Sequence, residues 1–191
     1  MKPIAEESKA RVIAVYDAAA ATYNLVAPSF FLHFGTGLAK GVWSAPGAKV
    51  LDVATGTGAV LVPAAELVGA EGRVVGIDIS PLMISRARVE IQKNGFCNAD
   101  VLVADAESLP FPQKSFDRVL CSFAIFLFSD LRRLISEWRR VLRSPGRIGL
   151  VYSAGEDQEW KWYEQLISKY EPASSLGTER YSPEQVEAAL E

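Results

Sequence analysis

The sequence predicts an α/β domain: a doubly wound, mostly parallel sheet with helices on both faces. Three observations predict it. Short apolar runs recur at 48–53, 73–78, 100–105, 115–123 and 146–154. Amphipathic helical patterns lie between most of them, and turn residues mark their ends. Strands that alternate with helices of this length imply crossover units, hence parallel pairing and a sheet covered on both sides.

In chain order, residues 2–22 read as a helix with Val12, Val15, Tyr16, Ala19 and Tyr23 on one side. The stretch "YNLVAPSFFLHFGTGLAKGVW" follows, dense in aromatics and unusual for a solvated linker. Together these form an N-terminal helical and aromatic lid segment, 1–45, ahead of a core spanning 46–191. The first strand closes on Asp52, a glycine loop follows, and "AVLVPAAELVGA" continues as a helix that "GAEG" terminates. After "RVVGID", the next helix carries Ser80 as N-cap, Pro81 at its first position and Gly95 beyond its end. The helix in "DLRRLISEWRRVLRSPG" repeats Leu131, Leu134, Ile135, Trp138, Val141 and Leu142 at spacings of three and four. A last helix opens at Ser182, with Pro183 next and Gln185 completing a capping box. The chain stops at Glu191, soon after that helix begins, so the sequence is expected to lack a C-terminal part of its fold.

Composition narrows the function. A formal charge of −3 with 23% charged residues argues against a nucleic-acid backbone as partner. The arginines between 132 and 143 fall on the polar face of a helix. Cys97 and Cys121 form no metal-ligand or disulfide pattern and read as buried small hydrophobes in a reducing cytoplasm, with no metal expected. The start is charged, without a signal-peptide core. The most apolar run, "VLCSFAIFLF", is far short of the roughly 20 residues of a membrane span. The partner expected is a small molecule, with oligomeric state open and a homodimer among the options.

The loop "VLDVATGTGAV" carries the functional signal. Small residues there let a ligand lie against backbone. A dinucleotide fingerprint wants a third glycine where Leu61 stands, and Asp52 would face the pyrophosphate; a phosphate loop wants Gly-Lys-Ser/Thr, which is absent. An acid at the strand end suits a cation, and S-adenosylmethionine (SAM) offers a sulfonium and an ammonium without a phosphate. Asp78, about twenty residues beyond the loop, can accept from both ribose hydroxyls. Asp105 can help hold the adenine end, with the backbone of Ala106 alongside, and Ile79 and Met83 can flank the purine. Ala54, Thr55, Gly56 and Gly58 in the loop and Ser122 after the fourth strand complete the expected cofactor set. Taken alone, Gly56 and Gly58 also read as turn glycines, and Met83 as core.

Four stretches, "VLDVATGTG", "VVGIDISPLMISRAR", "ADAESLPFPQKSFDRVLCSFAI" and "LISEWRRVLRSPGRIGL", resemble the successive motifs of class I SAM-dependent methyltransferases. The loop and "LPFPQKSFD" are most similar to the branch that includes the ubiquinone/menaquinone-biosynthesis methyltransferases. The resemblance runs over roughly residues 10–155. It implies a Rossmann-like fold and methyl transfer from SAM. It also implies that Tyr16 and Tyr23 fold over the cofactor. Two departures stand out: Ala59 replaces an Asp common in that branch, and two further strands of the family sheet would lie beyond this chain.

Methyl transfer needs alignment more than a dedicated acid or nucleophile, so no catalytic residue is assigned. His33, among Phe30, Phe31 and Phe34, is a candidate base beside its structural reading, and Tyr23 is a second candidate. The lid segment, "SFAIFLF" and "EWKWYEQ" form an apolar, aromatic wall, which points to a small aromatic or lipidic, quinone-like acceptor. No Asn-Pro-Pro-Tyr-type motif follows the fourth strand, which weighs against amide or adenine N-methylation. The rival readings are a non-catalytic SAM-binding regulatory domain and a nucleotide-dependent oxidoreductase.

Overall fold

A computed structural model describes residues 4–26, 30–42, 46–128, 130–152 and 181–190. Three helices come first: α1 (Ile4–Ala19), α2 (Tyr23–Val26) and α3 (Phe30–Gly41). Then β1 (Lys49–Val53), α4 (Leu61–Val68), β2 (Arg73–Asp78), α5 (Pro81–Lys93), β3 (Ala99–Val103) and β4 (Phe116–Ser122) alternate. A short 3-10 turn at Ile125–Leu127 leads to α6 (Leu131–Val141), β5 (Leu142–Val151) and, last among the described residues, α7 (Pro183–Leu190). No helix among these residues is long and apolar enough to cross a membrane.

The five strands form one sheet in the order β3-β2-β1-β4-β5, every pair parallel. Strand alternation divides the core. Val50, Val74 and Leu120 face α3, α4 and α5. Leu51, Val53, Ile77, Val119 and Cys121 face the opposite side, where α6 and α7 bring Leu134, Ile135, Trp138 and Val186. The sheet is therefore wound in both directions from β1. The order reverses between β1 and β4, and the crevice outside their carboxyl ends is where such sheets hold ligands.

Local signals explain most boundaries. Ser80 caps α5, its hydroxyl accepting from the Met83 N–H at 3.1 Å, and Asp130 caps α6 through the Arg133 N–H at 2.9 Å. The capping box of α7 forms as expected: the Gln185 side chain accepts from the Ser182 N–H at 2.8 Å, and the Ser182 hydroxyl accepts from the Gln185 N–H at 3.3 Å.

Several expectations are corrected. The first helix ends at Ala19, and Tyr23 opens α2 after a turn held by the Thr22 N–H donating to the Ala19 carbonyl at 3.0 Å. Helix α4 starts at Leu61 rather than Ala59, because the preceding residues form tight turns, including Gly58 N–H to the Thr55 carbonyl at 2.9 Å. Strand β5 starts at Leu142, earlier than Gly146, as Leu142 leaves helical geometry with ψ 138°. Cys97 is exposed instead of buried. The chain reverses after α5, and the neighbouring Asn98 turns inward to donate to the Ala65 and Gly69 carbonyls, each at 2.8 Å.

Helix α3 falls inside the helical and aromatic segment expected at 1–45, although glycines interrupt its helical pattern. Gly35 explains its placement: a Cβ there would lie 2.3 Å from the Ala59 carbonyl oxygen, so α3 rests directly on the glycine loop's backbone. Gly35→Ala is expected to cost about 1–3 kcal/mol through overpacking against backbone that cannot yield. Gly37, with nothing within 4 Å of its Cβ position, should tolerate alanine with a gain of about 0.5–1 kcal/mol. Chemical denaturation of the two variants checks the contrast.

Candidate active site

The loop between β1 and α4 turns because Ala54, Gly56 and Gly58 all adopt positive φ, at 53°, 54° and 98°. Glycine bears that geometry freely; Ala54 holds it under strain on the order of 1 kcal/mol. What the loop does with its N–H groups decides its chemistry. Gly56 donates to Asp78 Oδ2 at 2.9 Å, Gly58 to the Thr55 carbonyl at 2.9 Å and Thr55 to the Ile77 carbonyl at 2.8 Å. These three donors are consumed within the protein, so the loop offers no ready cradle to a phosphate.

Asp78 ends β2 and joins two loops. Its Oδ1 accepts from the Ser80 N–H at 2.9 Å while Oδ2 holds Gly56. Burial raises its carboxyl above the ordinary range, against the favourable N–H groups of Ser80, Gly56 and Ile79, and the negative Asp17 adds to the rise. Asp105, after β3, receives the Glu107 N–H on Oδ1 at 2.9 Å and the Lys9 ammonium on Oδ2 at 2.6 Å. Lys9 also meets Glu107 at 2.6 Å. Burial lowers the Lys9 pKa, but the two carboxylates outweigh it and the net shift is upward.

These groups line one crevice at the carboxyl edge of β1–β4, with about 930 Å³ of free space that is partly open to solvent. Ala54, Gly56, Asp78, Ile79, Met83, Asp105, Ala106, Ser122, Tyr16 and Tyr23, all expected from the sequence, lie on its wall. Helix α1 roofs it: Ser8, Lys9, Val12 and Tyr16 follow one another at helical spacing along that wall. The Tyr16 and Tyr23 rings sit 6.2 Å apart, and Tyr23 stacks on Phe31 at 5.1 Å. Phe123, Leu127 and Phe128 supply the apolar side. Phe123 is held at φ 54° by its N–H to the Val151 carbonyl at 2.7 Å and by aromatic neighbours, Phe34 at 5.3 Å and Phe30 at 5.4 Å. A non-glycine residue fixed in that region at the end of a strand marks a site worth its strain.

Three expected cofactor residues sit elsewhere. Asp52, Thr55 and Gly58 are not on the crevice wall. Asp52 is only 1% exposed, beneath the loop, and Thr55 donates to its Oδ2 at 2.6 Å. Its Oδ1 has no partner at hydrogen-bond distance among the described residues, and neither has the Ser122 hydroxyl. Burial pushes the Asp52 carboxyl from 3.8 to about 7; the Thr55 hydrogen bond opposes this, the Asp78 charge adds to it, and the Leu61 N–H opposes it. His33 is exposed, edge-on to Phe34 at 5.3 Å, and the fold does not bring it to the crevice. Residues 159–165, expected in the acceptor wall, lie outside the described residues.

Sequence reading missed Lys9 and Glu107, whereas Phe123 lies in the "SFAIFLF" stretch expected in the acceptor wall. For Lys9 a signal existed, its place one turn before Val12 and two before Tyr16, but its partners are 96 positions or more away. Glu107 lies two residues after Asp105, and its N–H closes the turn that presents Asp105.

A doubly wound parallel sheet, with an acid closing β2, another just beyond β3 and three amides of the first loop bonded within the chain, defines a Rossmann-like domain. The methyltransferase domain family matches residues 50–146. Aklanonic acid methyltransferase from Streptomyces sp. (strain C5) is 37% identical over 150 residues, covering 77% of this chain and 68% of that protein. Nocamycin O-methyltransferase from Saccharothrix syringae is 40% identical, covering 72% of the chain and 49% of the relative. The ubiquinone/menaquinone biosynthesis C-methyltransferase of Hahella chejuensis is 34% identical, covering 74% and 59%. Among solved structures, the YcgJ protein of Bacillus subtilis aligns with TM-score 0.67 at 29% identity, over 82% of this chain and 66% of that one. The chain belongs to the class I SAM-dependent methyltransferases, whose cofactor is SAM. It spans between about half and two thirds of the length of these relatives.

Proposed function

We propose that this protein transfers a methyl group from SAM to a small acceptor of aromatic or lipidic, quinone-like character. The observation that carries the cofactor's placement is the hydrogen bonding of the glycine loop, whose amides bind Asp78 and neighbouring carbonyls instead of remaining open to an anion. Among the described residues, the crevice wall carries Asp78, Asp105 and Glu107 against a single cation, Lys9, which two of those acids already hold. Such a site suits a ligand with hydroxyls, an exocyclic amine and positive charge.

SAM supplies an electrophilic methyl group on a sulfonium. The chain's own residues would then bind, align and exclude water, contributions worth roughly 7–11 kcal/mol in well-oriented reactions. Asp78 would take the ribose hydroxyls and Asp105 the amino edge of the adenine, with Ile79 and Met83 as apolar flanks. The two orphaned buried acceptors, Asp52 Oδ1 and Ser122 Oγ, lie below and beside the loop that would carry the methionine end. Tyr16 and Tyr23 would roof the cofactor. Phe123, Leu127 and Phe128 would meet the acceptor, and their apolar character supports the acceptor class. Tyr23, on the crevice wall, is better placed than His33 to touch an acceptor hydroxyl.

The relatives' names point the same way, toward aklanonic acid, nocamycin and the ubiquinone/menaquinone precursors. Titration calorimetry with SAM, S-adenosylhomocysteine and NAD tests the cofactor: SAM and its product should bind, and preference for NAD would overturn the reading. A labelled-methyl screen over quinols, phenols and small acids then tests transfer, with incorporation expected on a phenolic or enolic acceptor.

A further inference from the structure

The N-terminal cover is fastened to three successive strand ends. Asn24 in α2 accepts from the Thr57 hydroxyl in the loop after β1 at 2.7 Å. Asp17 in α1 accepts from the Ser80 hydroxyl at 2.5 Å and the Leu82 N–H at 3.1 Å, after β2. Lys9, further back on α1, bridges Asp105 and Glu107 after β3, at 2.6 Å each. The first two fastenings fall on residues off the crevice wall. The third does not, because it falls on the carboxylate placed at the purine end of the crevice.

We propose that Lys9 is a positioning residue for the purine end of the cofactor, fixing Asp105 so that its free acceptor positions face that end and so setting the preference for a 6-amino purine. This rests on the SAM reading above. Asp105 and Glu107 are close neighbours, and Glu107 is only 10% exposed. The Lys9 ammonium bridges them, 2.6 Å from each. It also fixes the rotamer of Asp105 from one side while the Glu107 N–H fixes it from the other, at 2.9 Å. Of the roughly four lone-pair positions of a carboxylate, two are then taken, and the remainder accept. An amino group at purine position 6 donates into such an acceptor; a 6-oxo group meets repulsion. Without Lys9, Asp105 keeps only the Glu107 N–H as an anchor, and a reoriented carboxylate no longer discriminates between the two edges.

Calorimetry of wild type, Lys9→Met, Lys9→Arg and Asp17→Asn with S-adenosylhomocysteine and its 6-oxo analogue S-inosylhomocysteine tests this. Lys9→Met is expected to reduce the adenosyl-over-inosyl preference about tenfold, the size appropriate to a partly exposed charge-assisted contact. Lys9→Arg should restore most of the preference. Asp17→Asn loosens the cover without touching Asp105 and should weaken both ligands alike. An unchanged ratio in Lys9→Met overturns the proposal, and so does an equal loss of both ligands, which is what a mere clamp would give. Failure of wild type to bind S-adenosylhomocysteine overturns the SAM reading instead. Thermal melts of each variant confirm a folded protein.

Discussion

Asp78→Ala is expected to weaken SAM and S-adenosylhomocysteine binding by a hundredfold or more. Asp78 uses one oxygen on Gly56 and the other on Ser80, each at 2.9 Å. A carboxylate offers about four acceptor positions, so two remain for ribose hydroxyls. Removing it deletes those contacts and also frees the Gly56 N–H, so the loop loses one of its two ties to β2, keeping that of Thr55 to Ile77. Hydrogen bonds to a charged group are worth about 1.5–3 kcal/mol each, and two of them exceed the 2.7 kcal/mol of a hundredfold change. Asp78→Asn should not rescue binding. An amide has one oxygen for two backbone donors, so its NH2 group must face either Gly56 or Ser80, donor against donor. Calorimetry with S-adenosylhomocysteine reads both variants, and an unchanged dissociation constant for Asp78→Ala would remove the residue from the site.

The same residue shows why much of the fold was legible. Strands buried on both faces write themselves as apolar runs, and Asp78 closes one of them where the run must stop. Ser80 and Pro81 after it, and Gly95 after α5, are local signals whose geometry involves only neighbours; Ser80 does cap α5 at 3.1 Å from the Met83 N–H. Helix α3 was harder to place for the opposite reason. Phe30–Gly41 contains glycines that propensity alone reads as breakers, and its reason for being helical is the seat of Gly35 on the Ala59 carbonyl, a tertiary fact. Cys97 was misplaced because one inward side chain, Asn98, decides which residue of a turn faces solvent. At the site, Asp78, Asp105 and Met83 could be found because strand ends fix their location. Lys9 could not, since its role depends on how α1 crosses loops far away in sequence. Asp52 was assigned from its place at a strand end, but the loop that follows folds over it and Thr55 takes its Oδ2, so it lies beneath the loop and off the crevice wall.

Buried there, Asp52 should give the ligand-free protein an unusual pH dependence. Its carboxyl titrates near 7 in the folded chain and near 3.8 when unfolded. Between those values the native state keeps a proton that the unfolded state has lost. Native proteins that bind more protons lose stability as pH rises, so the contribution of Asp52 falls from pH 4 to about 7 and is flat above. About three pH units at 1.36 kcal/mol each bound the loss at roughly 4 kcal/mol. Asp78 shifts in the same direction, whereas Glu137, held low by Arg140 despite some burial, contributes only nearer its own acidic range. Asp52→Asn isolates the effect. It keeps the shape and an oxygen for the Thr55 hydroxyl while removing the charge, so it should be more stable than wild type at pH 8 by about 1–4 kcal/mol. Near pH 4 the two proteins should match. Denaturant titrations at pH 4, 6 and 8 read the difference, and equal slopes for the two proteins would show that Asp52 is already ionised in the fold. A cationic ligand adds a linked consequence: bound close to Asp52 it favours the carboxylate, so SAM affinity should rise from pH 6 to 8 in wild type and not in Asp52→Asn.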